Sequence, residues 1–207
     1  MEEVLALLLA VFLGVSSVVS GSVKVPQTPQ QVGYGRMLFV GDSRSVDMFD
    51  KEESEIMAGK YNGITVYCKN CAQYNDMISW IEHCGMDNFD TLVTWMGCNE
   101  HGDFGEYGAY YDSLLAQGKK IVVCTIGPTD DEYLANDFDR TYYVNDLMVK
   151  FNNSLTSWAE ERGVKIIDLY SYINNSSTVY PCSEDGVHFY PQPTTELWEL
   201  IVANLKY

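Results

Sequence analysis

The chain has 207 residues, 46% of them hydrophobic and 20% charged, which is enough for one domain with a proper core. Its formal net charge is −16, from 13 Lys and Arg against 29 Asp and Glu. That excess excludes nucleic acid and anionic membrane surfaces as partners, since both are gripped by basic patches. It favours a neutral or cationic small molecule or a glycan.

Val4 to Val19 is almost wholly apolar and ends among the small residues Ser16, Ser17 and Ser20. The run is short for a membrane span. Residues 1–20 therefore read as a secretory signal peptide cleaved after Ser20, although Glu2 and Glu3 stand where basic residues are usual. An uncleaved anchor is the alternative. Removing the leader leaves a charge of −14, so the argument about partners stands, and the mature protein is expected outside the cell without stable membrane association. Residues 21–36, rich in Gly, Ser, Pro and Gln, are a polar linker, and 37–207 form a single domain.

Met37-Leu38-Phe39-Val40 is a first strand running into Gly41-Asp42-Ser43. On the turn alone, Ser43 reads first as a helix N-cap. Val46, Met48, Phe49 and Met57 mark a short helix with an acidic outer face. Ile64 to Lys69 alternates and is β-branched, so it is a second strand. Met77, Ile78, Trp80 and Ile81 give a helical face over 74–84. Thr91 to Gly97 is a third strand, ending at Gly97-Cys98-Asn99-Glu100. A helix with Tyr107, Tyr111, Leu114 and Leu115 closes at Gly118. Lys120 to Gly127 is a fourth strand, apolar on both faces as a central parallel strand must be. Residues 128–139 are an acidic loop. The next helix carries Val144, Leu147, Met148, Phe151, Leu155, Trp158 and Ala159 on one face and stops at Gly163. Val164 to Tyr170 is a fifth strand. A loop rich in Asn, Ser and Tyr then leads to Asp185-Gly186-Val187-His188, and a last helix bears Leu197, Leu200, Ile201 and Leu205.

Strands alternating with helices make an α/β fold with a mainly parallel five-stranded sheet. Ligands of such sheets bind beyond the carboxyl ends of the strands. Ser43 follows strand one, Asn99 strand three, and Asp185 and His188 follow strand five. All therefore fall on one edge of the sheet. There Asp185 can orient His188, His188 can take the Ser43 proton, and the Asn99 amide can donate to a developing oxyanion.

These blocks resemble those of the SGNH, or GDSL-type, hydrolases. Gly41-Asp42-Ser43 is similar to the family's nucleophile block, Gly97-Cys98-Asn99-Glu100 to its Gly-x-Asn-Asp block and Asp185-Gly186-Val187-His188 to its Asp-x-x-His block, and they occur in family order. The resemblance implies a three-layer α/β/α flavodoxin-like sheet of order 2-1-3-4-5, and ester hydrolysis through a serine acyl-enzyme without metal or cofactor. The catalytic residues would be Ser43, Asp185 and His188. The oxyanion donors would be the Ser43 N–H, the Asn99 amide and an N–H at Cys71, with Asp42, Arg44, Tyr74 and Glu100 contacting substrate. Two departures stand out. The glycine expected after strand two is missing from Lys69-Asn70-Cys71-Ala72-Gln73-Tyr74, and Glu100 replaces the usual Asp.

The six cysteines, Cys68, Cys71, Cys84, Cys98, Cys124 and Cys182, permit disulfides in an exported chain, with 15 connectivities open. A Cys71–Cys182 pair at the rim of the site is one. Cys68-x-x-Cys71 with His83-Cys84 only loosely matches zinc-ligand spacing. Asn152, Asn174 and Asn175 begin glycosylation sequons. The reading that emerges is a secreted, monomeric carboxylic ester hydrolase that removes short acyl groups, acetyl above all, from a carbohydrate or cell-wall glycan. The alternatives are a lipid or aryl esterase, and a catalytically impaired glycan-binding protein on the same fold.

Overall fold

The computed structural model describes residues 33–49 and 52–206. The expected leader, and the linker up to residue 32, lie outside them. The stretch of chain that first defines the site is built as strand β1 (Met37–Gly41), a tight turn and helix α1 (Ser43–Val46). The chain then forms β2 (Glu55–Tyr61), β3 (Ile64–Lys69), helix α2 (Tyr74–Cys84), β4 (Thr91–Trp95), a 3-10 turn at Cys98–Glu100 and α3 (Gly105–Ala116). Next come β5 (Lys120–Cys124), the short α4 (Asp139–Tyr142), α5 (Asn145–Arg162), β6 (Lys165–Ile167) and α6 (Leu169–Asn174). A small hairpin, β7 (Tyr180–Pro181) with β8 (Phe189–Tyr190), precedes the last helix α7 (Thr195–Leu205).

The main sheet has the order β2-β3-β1-β4-β5-β6. The five strands expected from sequence keep the expected order, with β1 parallel to both β3 and β4 and β4–β5–β6 parallel beyond. The sheet has a sixth strand, β2, added antiparallel to the β3 edge. Met57, expected on a helix after Ser43, lies in this strand. The helix ends at Val46, and hydrophobic residues from 56 to 61 belong to a hairpin around Asn62-Gly63, both in left-handed conformation. The expected fifth strand is also cut short. The Asp168 carboxylate accepts from the Ser171 N–H and starts α6, so Leu169 and Tyr170 are helical.

Alternation along β1 explains the three layers. Leu38 and Val40 face a core completed by α2, α3 and α5, with Trp80, Tyr111, Phe151 and Trp158 in it. Phe39 faces the opposite core, built with α1, α6 and α7 and filled by Trp95, Ile173, Trp198 and Ile201. Every side chain of β4 is buried, as a strand covered on both faces must be. Among the described residues no helix is long and apolar enough to cross a membrane.

Candidate active site

Gly41 is what allows the nucleophile turn to close. A Cβ there would lie 1.9 Å from Ser45 Oγ, so no other residue fits between β1 and the first turn of α1. The N-cap is Asp42, whose carboxylate accepts from the Arg44 N–H at 3.1 Å. Ser43 is therefore the first helical residue and is left partly exposed with its hydroxyl free to point outward. Gly97 meets a similar demand: its φ is 117°, and a Cβ would lie 2.2 Å from the Phe151 ring. The backbone of the Asn99 block thereby packs directly on α5.

Asp185 and His188 arrive on the β7–β8 hairpin, after α6 rather than directly after the fifth strand. Inside the hairpin the Cys182 N–H donates to the His188 carbonyl at 2.8 Å, and the Gly186 N–H to that of Cys182 at 2.9 Å. Helix α1 and its end fasten the segment from two sides. Arg44 Nε donates to the Val187 carbonyl at 2.9 Å and Nη1 to that of Gly127 at 3.1 Å. Beyond His188, the Thr194 N–H donates to the Asp47 carbonyl at 2.8 Å and Gln192 Nε2 to Asp47 Oδ2 at 3.0 Å.

The three residues meet. His188 Nε2 lies 2.9 Å from Ser43 Oγ, and Nδ1 lies 2.6 Å from Asp185 Oδ2. The other carboxylate oxygen, Oδ1, accepts from the N–H groups of Val187 and His188 at 2.7 and 2.9 Å and from the Cys182 thiol at 3.0 Å. Oδ2 thus faces the imidazole with its partner fixed. Burial works against the Asp185 anion, but the hydrogen bonds from His188 and Cys182 overcome it and hold the carboxyl well below the usual range. Burial likewise works against the imidazolium, yet the hydrogen bond and charge of Asp185, helped by the charge of Asp47, raise the His188 pKa above its ordinary 6.5.

Asn99 is buried, 7% exposed, and its orientation is set by what it touches. Nδ2 donates to the Ala72 carbonyl at 2.8 Å, and Oδ1 accepts from the Tyr143 hydroxyl at 2.9 Å. A carbonyl only accepts, so the amide nitrogen must face Ala72. Burial pushes the Tyr143 pKa up, which keeps that hydroxyl protonated as the donor. The bond leaves the second Nδ2 hydrogen uncommitted and ties Asn99 to the loop of Cys71. Cys71 itself takes φ 57°, the left-handed conformation a glycine adopts freely. Among the described residues neither the Ser43 nor the Cys71 N–H is spent on a turn or loop bond.

Two expected substrate contacts are placed beneath the site instead. Asp42 is 2% exposed and Arg44 1%, so neither side chain reaches a substrate. Burial raises the Asp42 pKa, opposed by the Arg44 charge and by the N–H groups of Arg44 and Cys98, and the guanidinium lies 5.0 Å from the Phe189 ring centroid. Glu100 Oε1 accepts from the Tyr74 N–H at 2.7 Å and from the Tyr107 hydroxyl at 3.2 Å, so it joins the Asn99 block to the start of α2. Tyr74 is half-buried in the same cluster. All six cysteines are free thiols, and the Cys71–Cys182 bridge is absent because Cys182 is turned inward onto Asp185. Asn152 cannot serve as a glycosylation site in the folded chain: its amide is buried and bonded through Oδ1 and Nδ2 to the Ile126 backbone at 2.7 and 2.8 Å. Among the described residues no group of His, Cys, Asp and Glu is arranged to hold a metal. No local pattern points to Asp47, Tyr143, Cys182 or Gln192, whose roles depend on segments meeting that are distant in the chain.

A cavity of about 310 Å³ opens beside His188, lined among others by Asp47, Glu53, Asn70, Glu184 and Tyr190. No family model matches the chain, and no curated protein matches it. Solved structures do. A lipase/acylhydrolase from Enterococcus faecalis superposes with a TM-score of 0.54 at 16% identity, over 83% of this chain and 95% of that one. The chain has the fold of the SGNH-type hydrolases. The acetylxylan esterase Axe2 from Geobacillus stearothermophilus is similar at a TM-score of 0.53 and 18% identity, over 86% of this chain and 97% of that one. Catalytic mutants of Axe2 have also been solved, with a serine, an aspartate and a histidine each changed to alanine.

Proposed function

We propose that the protein is a serine ester hydrolase acting through Ser43, His188 and Asp185. The observation that carries this reading is the continuous line from Ser43 Oγ to His188 Nε2 at 2.9 Å and from Nδ1 to Asp185 Oδ2 at 2.6 Å. In the reaction, His188 takes the hydroxyl proton as Ser43 Oγ bonds to the ester carbonyl carbon. It then gives that proton to the departing alkoxide, leaving an acyl-serine and a free alcohol. Water, deprotonated by the same imidazole, attacks the acyl-serine; the imidazolium returns the proton to Ser43 Oγ as its bond to the acyl carbon breaks, releasing the carboxylic acid. Asp185 keeps the proton on Nδ1 and balances the imidazolium. The negative oxygen of each tetrahedral intermediate is met by the Ser43 N–H, the Cys71 N–H and the uncommitted Nδ2 hydrogen of Asn99.

The substrate is a short acyl ester, acetyl above all, on a carbohydrate, and the enzyme works outside the cell. The acidic surface and the acylhydrolases and acetylxylan esterases that share the fold support this choice. The cavity beside His188 is lined chiefly by polar and acidic side chains, among them Asp47, Glu53, Asn70 and Gln192, which suits a polar group better than a long acyl chain. The test is hydrolysis of a short-chain aryl acetate and of acetylated sugars by the wild type and Ser43→Ala. Equal rates in the two proteins would end the assignment of Ser43, and a preference for long acyl chains would end that of the acetyl group.

A further inference from the structure

Phe138 and Tyr142 are large aromatic residues left 54% and 40% exposed, at a place where the acidic sequence around them leads one to expect only a solvated loop. They are not scattered. Their ring centroids are 4.7 Å apart at an interplanar angle of 48°, which makes a shallow notch. His101 lies 4.7 Å from Tyr142 and 6.1 Å from Phe138 and continues the surface. Its φ is 52°, a left-handed conformation that the 3-10 turn of the Asn99 block ends on. Tyr143 is the inner ring of the cluster, 5.6 Å from His101 and 6.1 Å from Phe138, and its hydroxyl holds Asn99 at 2.9 Å. One aromatic ring therefore separates this exposed notch from an oxyanion donor.

We propose that the Phe138–Tyr142–His101 surface is the subsite for the sugar ring of the substrate, the alcohol side of the ester, and so determines specificity. This rests on the esterase reading above. The chemistry of the surface selects a neutral pyranose. An aromatic face attracts the polarised C–H face of a sugar, as it attracts any positive edge. Beside the rings in the chain stand the exposed carboxylate of Asp137, paired with Arg140 Nη1 at 3.3 Å, and the partly buried one of Asp139, which accepts from Asn136 Nδ2 at 2.7 Å; their remaining lone pairs can accept from sugar hydroxyls. The same carboxylates, on a chain of net charge −16, repel an anionic lipid surface. A ring seated in the notch is separated from Asn99 by the Tyr143 ring alone, and its acyl group must extend past that ring to reach Ser43.

The experiment compares kcat/KM on partially acetylated xylo-oligosaccharides with kcat/KM on an aryl acetate that has no sugar to stack. The expected result is that Phe138→Ala and Tyr142→Ala each lower the ratio of the two by about tenfold or more, as truncation of a buried-on-binding aromatic anchor does. The loss lies chiefly in KM, and Tyr142→Phe restores the ratio. An unchanged ratio overturns the proposal. So does a loss of turnover on phosphatidylcholine vesicles in place of the sugar esters, or a concentration-dependent dimer that Phe138→Ala abolishes. If the wild type hydrolyses neither ester, the esterase reading fails separately. The subsite is then read by calorimetric titration of the wild type with deacetylated xylo-oligosaccharide: binding lost in Phe138→Ala supports it, and no binding by the wild type overturns it.

Discussion

Arg44→Ala separates a scaffold role from a substrate contact, because the two place the damage in different quantities. The side chain is buried and donates to the Val187 and Gly127 carbonyls at 2.9 and 3.1 Å. Removing it leaves two carbonyls without their charged donor, at about 1–3 kcal/mol each. It also strips the buried Asp42 of its nearby positive charge, and breaking a buried pair costs about 3–5 kcal/mol. Protonation of Asp42, whose pKa burial already raises, relieves part of that. A net loss of about 4 kcal/mol is the expected result, a large share of the about 5–15 kcal/mol that holds a domain together. With a urea slope of about 2 kcal/mol/M, the unfolding midpoint moves down by about 2 M. Urea titrations followed by tryptophan fluorescence, with aryl acetate kinetics on the folded fraction, read both effects. Arg44→Lys keeps the charge but cannot fork to both carbonyls, so it falls between. A midpoint unmoved within about 0.3 M, with KM alone raised, would return Arg44 to the substrate side and refute the scaffold account.

Further outcomes follow from the same geometry. Asn99→Ala lowers kcat by about 10²–10³ with little change in KM, the measure of one lost oxyanion donor; a change confined to KM would remove Asn99 from that role. Gly41→Ala forces a Cβ to within 1.9 Å of Ser45 Oγ and costs about 1–3 kcal/mol, seen as a lower unfolding midpoint and a displaced Ser43. His188 must be neutral to act as base, so kcat/KM rises with pH through a midpoint above 6.5, where its raised pKa lies. Asp185→Asn brings that midpoint down toward the ordinary imidazole value. Stability runs the other way: the His188 contribution is complete below its unfolded pKa and is lost as pH rises through the folded one. The lowered Asp185 pKa gives a contribution present above 3.8 that is lost only as pH falls through its folded value. Both describe one ion pair and count once.

The parts of this structure that could be read from the sequence are those set by local pattern. The 74–84 helix, the first four parallel strands and the Gly163 stop have signals of period 3.6, of apolar runs or of backbone conformation, and they start where expected, while the fifth strand is cut to Lys165–Ile167 by the Asp168 cap. Ser43 and Asn99 share an edge because parallel strands end there, a topological rule that needs no contact to be known, whereas His188 reaches it on the β7–β8 hairpin that Arg44 fastens. What failed was set by distant partners. Val46, Met48, Phe49 and Met57 read as one short helix, but β3 offers a free edge with which residues 55–61 pair. Arg44 and Asp42, two charged residues beside a nucleophile, looked like substrate ligands. Their burial depends on Val187 and Gly127, which lie 143 and 83 residues away in the chain. The acidic composition of residues 128–139 conceals the ring cluster, since Phe138 and, just beyond the loop, Tyr142 gain meaning only beside His101.

The missing glycine after strand two is a difference in how the site is built rather than a gap in it. Cys71 holds φ 57°, a conformation that costs a residue with a Cβ about 1 kcal/mol more than glycine. Two bonds on the next residue oppose that strain: the Ala72 N–H donates to the Lys69 carbonyl at 3.2 Å, and the Ala72 carbonyl accepts from Asn99 at 2.8 Å. The second bond couples two candidate oxyanion donors, so that straightening the Cys71 loop must also release the Asn99 amide. Tyr143, by holding the opposite end of that amide, then bears on the Cys71 loop. A site arranged this way keeps its donors aligned through side chains, where a glycine would need only its own backbone.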